Sequence, residues 1–254
     1  MAIYELKCFG IRPGEGNAAL VILDGPAAAE ERQAFATAAN KSACVFVDGG
    51  TLDYYYPHTR SPLCLHATLA AARVLLANSC GPMAVRTAMR NQELVLTRSD
   101  AGIFVSLAPQ AAPEVALPAD LAERLLATPG LAIVSPPAVA SVGSPKMLVE
   151  VADSDTLQAL RPDLAAIVEW GKANGVNGIY AWCRRADGTY EGRNFNHLDP
   201  AIEDSATGVA AGALTVHLGR SLDLYQGAQL GQPCLLRTRL DDDRILIGSA
   251  VEYV

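Results

Sequence analysis

The chain has 254 residues, half of them hydrophobic, with a net charge of −7 and a pI near 5.1. That length allows one large domain or two of ordinary size, with ample apolar content for a buried core. The acidic balance argues against a nucleic-acid or anionic-membrane surface, where a basic patch is expected, but leaves room for a small anionic substrate held by local dipoles.

The opening run Ile3 to Phe9 reads as a strand, Gly10 to Asn17 as a turn region, and Ala18 to Leu23 as a buried strand. Ala27 to Asn40 has helical spacing. Cys44 to Val47 and Leu52 to Tyr56 are strands, the second ended by Pro57. His66 to Ala77 is a helix apolar all round, which marks it as buried. Strands Glu93 to Thr97 and Gly102 to Leu107 follow, then a Pro/Ala-rich passage, Ala108 to Pro118, that reads as the exit from a first domain. The expected domains are 1–115 and 116–254, with the last strand free to return to the first.

The second half repeats this order. Ala132 to Val134, Val139 to Val142 and Met147 to Val151 read as strands, Asp153 to Leu160 and Asp163 to Asn174 as helices. Gly178 to Arg184 and Tyr190 to Phe195 are strands around the turn Asp187-Gly188. Ala206 to Leu218 is a second small-residue helix, and Cys234 to Arg239 and Arg244 to Val251 close the chain as strands.

Leu131 to Val142 is too short and too broken by Pro136 and Pro137 to span a membrane. The start, Met1 to Leu6, lacks the basic-then-apolar pattern of a secretory signal, so a cytoplasmic location is expected. The cysteines at 8, 44, 64, 80, 183 and 234 form no CxxC pair and read as reduced thiols. The histidines at 58, 66, 197 and 217 lack metal-ligand spacing, and no nucleotide motif is present, so no cofactor or metal is expected.

Two segments carry chemistry. Cys64-Leu65-His66-Ala67-Thr68 and Glu203-Asp204-Ser205-Ala206-Thr207-Gly208 each place polar side chains before a small-residue helix. A helix start offers unpaired N–H groups and a positive dipole end, a ready site for a carboxylate. The amides of Ala67, Thr68, Thr207 and Gly208 are the expected anion holders.

With their surroundings, these segments belong to four pieces that fall in order. Phe9 with Gly16-Asn17-Ala18-Ala19-Leu20-Val21 is similar to F…GNPxAVV; Pro62 through Ala70 to PLCGHATLA; Arg193-Asn194-Phe195 through Ala210 to RxF…EDPATGSA; Gln226-Gly227 and Gly231 to a late QG…G. The ordered set resembles the phenazine-biosynthesis PhzF-like family, related to diaminopimelate epimerase. The resemblance implies an α/β (α+β) fold of two similar domains, each a bent, barrel-like sheet around a central helix, with the active-site cleft between them. It also implies isomerisation or epimerisation by proton removal and return without metal or coenzyme, and a homodimer.

The departures surround the implied site. In Asn40-Lys41-Ser42-Ala43-Cys44-Val45, Ala43 stands where the family's catalytic glutamate is expected, and no acid lies between Arg32 and Asp48. Arg60, Leu65, Ser205 and Val209 also replace family residues. Cys64, His66, Asp204 and Ser205 are the candidate catalytic residues and Asn17 a candidate substrate contact; the resemblance implies a polar or acid–base role at Asp204 and, from the related epimerases, a cysteine at each helix start, where this chain has Cys64 and Ser205. A helix start favours a thiolate at Cys64. Against these roles stand a motif cysteine, a packing His66, an N-cap Asp204 and a turn-forming Asn17. Glu203 reads as a stabilising partner, Lys41 and Arg60 as anion-attracting or solvated charges, and Tyr54 to Tyr56 as a strand or a stacking platform. The expected function is a cofactor-independent isomerase or epimerase acting on a small carboxylate. The alternatives are a lapsed enzyme that binds small molecules, or a lyase or dehydratase on the same fold.

Overall fold

The computed structural model describes residues 1–79, 81–196 and 203–254. Cys80 and His197 lie outside the described residues. The chain separates into two compact units, residues 1–107 with 246–254, and residues 108–245.

The first unit opens with β1 (Ala2–Phe9) and β2 (Gly16–Leu23), then α1 (Ala29–Ala39), β3 (Ala43–Asp48), β4 (Thr51–Tyr55) and β5 (Arg60–Ser61). Then come α2 (Leu65–Leu75), β6 (Met83–Thr87), β7 (Glu93–Ser99) and β8 (Gly102–Leu107). The second unit holds α3 (Leu121–Leu125), β9 (Ala138–Ala140), β10 (Lys146–Glu150), α4 (Ser154–Ala159), α5 (Leu164–Asn174), β11 (Ile179–Arg184) and β12 (Tyr190–Phe195). It continues with α6 (Gly208–Leu218), β13 (Leu222–Gln226) and β14 (Cys234–Asp241); β15 (Arg244–Ser249) and β16 (Val251–Tyr253) then take the chain back into the first unit.

In the first unit β1 pairs antiparallel with both β2 and β16, and β2 runs parallel to β3 across the α1 crossover. The β1–β2 turn needs Gly16 at φ +105°, because a Cβ there would meet the Cys8 carbonyl oxygen at 2.4 Å. Side-chain alternation divides the sheet faces. Leu20, Ile22, Cys44, Phe46 and Tyr55 pack under α1 with Phe35, Ala36 and Ala39. Ala19, Val21, Ala43 and Val45 lie on the opposite face, where α2 runs. That helix is buried from Leu65 through Ala72. It touches β1, β2, β3, β7, β8 and β16, strands from well-separated parts of the sheet, so the sheet curves around it. Small alanines permit this close approach, and each buried leucine such as Leu69 adds about 1.5–3 kcal/mol.

The second unit is built the same way around α6, whose Gly208, Ala210, Ala211, Gly212, Ala213, Leu214 and Thr215 are buried. It contacts β9, β10, β13 and β14. On the other face of the sheet Met147, Val149, Ile179, Ala181, Cys183 and Phe195 form one core with α3, α4 and α5. Asp163 caps α5 by accepting the Ala166 amide at 3.0 Å, and Gly175 ends it in the left-handed region.

Several expectations require correction. Ala132 to Val134 is not a strand; it contributes only an isolated bridge, Ile133 to Val151, beside prolines 136 and 137 that lack the N–H a ladder needs. Ala206 and Thr207 precede α6 rather than opening it, and Thr207 is its N-cap. The final strand is broken at Ala250 into β15 and β16. Strands β5, β6 and β13 and helix α3 were not expected from the sequence.

Candidate active site

In the first unit, Cys64 is extended (φ −138°, ψ 104°) and forms the N-cap of α2 through its backbone. Its carbonyl oxygen accepts the Thr68 amide at 2.9 Å and the Thr68 hydroxyl at 2.8 Å. The Tyr54 and Thr68 hydroxyls lie 2.7 Å apart and pin this helix start to β4. The Cys64 side chain takes no part in capping. Its Sγ lies 3.4 Å from His66 Nδ1 and 3.8 Å from Nε2, with both residues buried. A thiol and an imidazole in contact can pass a proton between them.

Cys8 Sγ donates to the His66 carbonyl oxygen at 3.1 Å, which aims this face of β1 at the helix start. Asn17 is the register partner of Cys8, so it shares that face, and it is buried. Ala43 also lies on the α2 face, fully buried opposite Ala19. Burial, reinforced by nearby Cys64, pushes the Cys44 thiol up to about 11, and burial pushes the Tyr54 phenol upward. Neither group ionises near neutrality.

In the second unit, the Thr207 hydroxyl donates to Asp204 Oδ2 at 2.7 Å. Gln226 Nε2 donates to the Asp204 carbonyl oxygen at 2.7 Å, and Tyr180 donates its hydroxyl to Gln226 Oε1 at 3.1 Å. Gly227, at φ +87°, lets this strand end approach; a Cβ there would lie 2.7 Å from the Ser205 carbonyl oxygen. The Gln-Gly pair is therefore a clamp on the turn that carries Asp204 and Ser205. Arg193 holds Glu203 in a two-bond ion pair at 2.9 and 2.7 Å and also donates to the Leu157 and Leu160 carbonyls. Ser205 is buried, whereas Asp204 is partly exposed.

The structure thus gathers Asn17, Cys64, His66, Ala67 and Thr68 at one helix start, and Asp204, Ser205, Thr207 and Gly208 at the other. It narrows the expected anion holders. The Thr68 amide already donates to Cys64, and the Thr207 amide donates to Gln226 Oε1 at 3.3 Å, which leaves Ala67 and Gly208. Asp204 is not the N-cap of α6. Lys41 and Arg60 are not simply solvated: Lys41 pairs with Glu5 at 2.7 Å, and Arg60 donates to both oxygens of Asp53 at 2.8 and 3.0 Å. Tyr54 and Tyr55 are buried strand residues.

Sequence reasoning missed Lys146, Tyr180 and Asn194. Lys146 is fully buried, donates to the Asn177 carbonyl oxygen, and is pushed down to about 7 by burial while Asp204 opposes the shift. The only signal available was a lysine directly before the apolar run Met147 to Val149. Among the described residues, no cluster of three or more His, Cys, Asp or Glu side chains is arranged to hold a metal ion, and no helix is long and apolar enough to cross a membrane.

The PhzC-PhzF family, described as phenazine biosynthesis-like protein, matches residues 6–252. An uncharacterised isomerase of Deinococcus radiodurans is 32% identical over 98% of this chain and 89% of its own length. The trans-2,3-dihydro-3-hydroxyanthranilate isomerase of Pseudomonas chlororaphis is 26% identical over 93% of this chain and 89% of its own. The crystal structure of a Bacillus anthracis phenazine biosynthesis protein of the PhzF family superposes with a TM-score of 0.78 at 19% identity, covering 100% of this chain and 98% of that one, and shows the shared fold. A family match along nearly the whole chain, with the ordered motifs at both helix starts, establishes that the chain belongs to the phenazine biosynthesis-like PhzC-PhzF family.

Proposed function

We propose that the protein is a cofactor-independent isomerase or epimerase that removes a proton from carbon and returns it on a small carboxylate, either amino-acid-like or a cyclic metabolite. The observation that carries this reading is the buried Cys64–His66 contact, 3.4 Å from Sγ to Nδ1, at the start of a buried helix. In this reading the couple supplies one acid–base group, and Asp204, held by Thr207 at 2.7 Å, supplies another. One group takes the proton from the carbon, the electron pair delocalises toward the carboxylate, and a proton returns from the conjugate acid. Helix-start amides at positive dipole ends suit a carboxylate, Ala67 in the first unit and Gly208 in the second; Asn17 is the substrate contact and Ser205 a polar partner. Relatives named as isomerases, one of them of trans-2,3-dihydro-3-hydroxyanthranilate, support the class.

The test is proton exchange in D₂O, followed by NMR with the purified protein and a panel of amino acids, hydroxy acids and cyclic carboxylates. Deuterium is expected to enter at one carbon of at least one compound. Cys64→Ala is expected to lower that rate by about 10² or more. Absence of exchange across the panel, with thermal stabilisation by one member, would instead mark a binding protein.

A further inference from the structure

The inner face of the second unit's sheet carries a polar cluster at the entrance to α6. On β12, Glu191 accepts from Ser154 and Gln158, Arg193 donates to the Leu157 carbonyl oxygen, and Phe195 belongs to the outer core. Strand alternation therefore turns Gly192 and Asn194 to the opposite face, where α6 runs. Asn194 is fully buried. Its backbone is bridged to Asp204, in the turn that leads to Thr207, the N-cap of α6.

The groups around Asn194 are committed to one another. Tyr180 is its register partner on β11. The phenol nevertheless leans away across Gly192, where an added Cβ would lie 2.2 Å from the Tyr180 hydroxyl oxygen. That hydroxyl donates to Gln226 Oε1 at 3.1 Å. Gln226 Nε2 in turn donates to the Asp204 carbonyl oxygen at 2.7 Å and to Thr207 Oγ1 at 3.0 Å. Asn194 stands outside this network: among the described residues, neither its Nδ2 nor its Oδ1 has a hydrogen-bond partner. A buried carboxamide with both ends unpaired is costly and calls for a partner from outside the chain, a water or a ligand.

We propose that Asn194 is a specificity-determining residue at the second helix start, whose carboxamide reads a hydrogen-bond donor, an amino or hydroxyl group, beside the substrate carboxylate. This rests on the reading of that helix start as one that receives the carboxylate.

The chemistry of the side chain selects this ligand. A carboxamide presents an N–H donor and a carbonyl acceptor side by side. One carboxylate oxygen can accept from Nδ2, but the other would meet Oδ1 acceptor to acceptor. An amino or hydroxyl group next to the carboxylate donates to Oδ1 instead and completes the pair. An acid without that group leaves the buried carbonyl unpaired, and a site built to bond such a donor rejects analogues that lack it.

The test follows the Asn194 side-chain NH₂ by ¹H–¹⁵N NMR while three sets of carboxylates are added: alanine, lactate and propionate; phenylalanine, phenyllactate and hydrocinnamate; anthranilate, salicylate and benzoate. Within each set only the group beside the carboxylate changes, from amino to hydroxyl to hydrogen, so the first two arms separate the two donors. In at least one set a donor-bearing member is expected to shift the Asn194 resonances saturably, and the unsubstituted acid to need at least about 10-fold higher concentration. An equal response to the unsubstituted acid overturns the proposal. So does no response to any member, which would leave only water on the carboxamide. Asn194→Leu removes both unpaired atoms, so its urea midpoint is expected to match or exceed that of the wild type, while discrimination within the set is lost. A folded variant that discriminates as before overturns the proposal; if the variant does not fold, the wild-type titration decides alone. Exchange in D₂O on a compound that leaves Asn194 unmoved would sink this inference and leave the isomerase reading standing. A saturable shift without exchange would do the reverse.

Discussion

Gln226 and Thr207 are tied together in both directions. The Gln226 amide nitrogen donates to Thr207 Oγ1 at 3.0 Å, and its carbonyl oxygen accepts the Thr207 amide at 3.3 Å. The same nitrogen reaches the Asp204 carbonyl oxygen at 2.7 Å. One side chain on β13 therefore sets the turn that enters α6.

Replacing that side chain tests the clamp. Gln226→Leu keeps the volume but leaves the buried Thr207 amide and the Tyr180 hydroxyl without their shared acceptor. The expected loss is about 1–3 kcal/mol in urea unfolding. Proton exchange should fall by more than this loss of folded population accounts for, because Asp204 is no longer fixed. Exchange at the wild-type rate in the folded variant would separate the clamp from the chemistry.

Lys146 predicts a pH dependence of stability. Burial holds it at about 7 in the folded protein against 10.5 when free. Between those values the unfolded chain binds more protons, so this residue makes stability rise with pH, by up to about 1.4 kcal/mol per unit. The penalty is complete below the folded value and gone above the free one. Lys146→Met is expected to remove this rise and to be the more stable protein near neutrality. Urea unfolding of both proteins at about pH 7 to 9 checks it, and equal slopes would contradict it.

Asp53 is the hub of a separate, structural network. It accepts from Arg32 at 3.0 Å, from Arg60 at 2.8 and 3.0 Å, and from the Tyr55 hydroxyl at 3.1 Å. Burial and the Asp53 charge push Tyr55 up to about 12. The Arg32 side chain is 8% exposed and that of Arg60 38%, so the buried pair dominates. Asp53→Ala is expected to destabilise the protein by about 3 kcal/mol, read as a shift in the urea midpoint. Asp53→Asn keeps the acceptor oxygen and should lose less.

The two central helices were legible because a run such as Ala67 to Ala72 has no polar face to give water. Arg193-Asn194-Phe195 and Gln226-Gly227 were legible only as motifs; their physical jobs, holding Glu203 and clamping Asp204, depend on side chains 10 and 22 residues apart in sequence. Strand β13 was missed although Leu222, Leu224 and Gln226 alternate inward, because the run is short and half polar. The start of α6 was placed two residues early because Ala206 and Thr207 are compatible with a helix, and only the bonds to Gln226 and Asp204 hold Thr207 outside it. Lys146 was illegible in principle: a lone lysine at a strand start reads as a solvent-facing end, and only strand pairing shows that it is enclosed.

The pairing of β16 with β1 sets Tyr253 opposite Leu6, and the Val254 amide donates to the Glu5 carbonyl oxygen at 3.0 Å. During synthesis the first unit therefore waits, with the β1 edge of its sheet unpaired, until the whole of the second has been made. Such sequence-distant pairing slows folding, and an unpaired edge invites association with other chains. A nascent chain stalled within the second unit would be the species most in need of a chaperone.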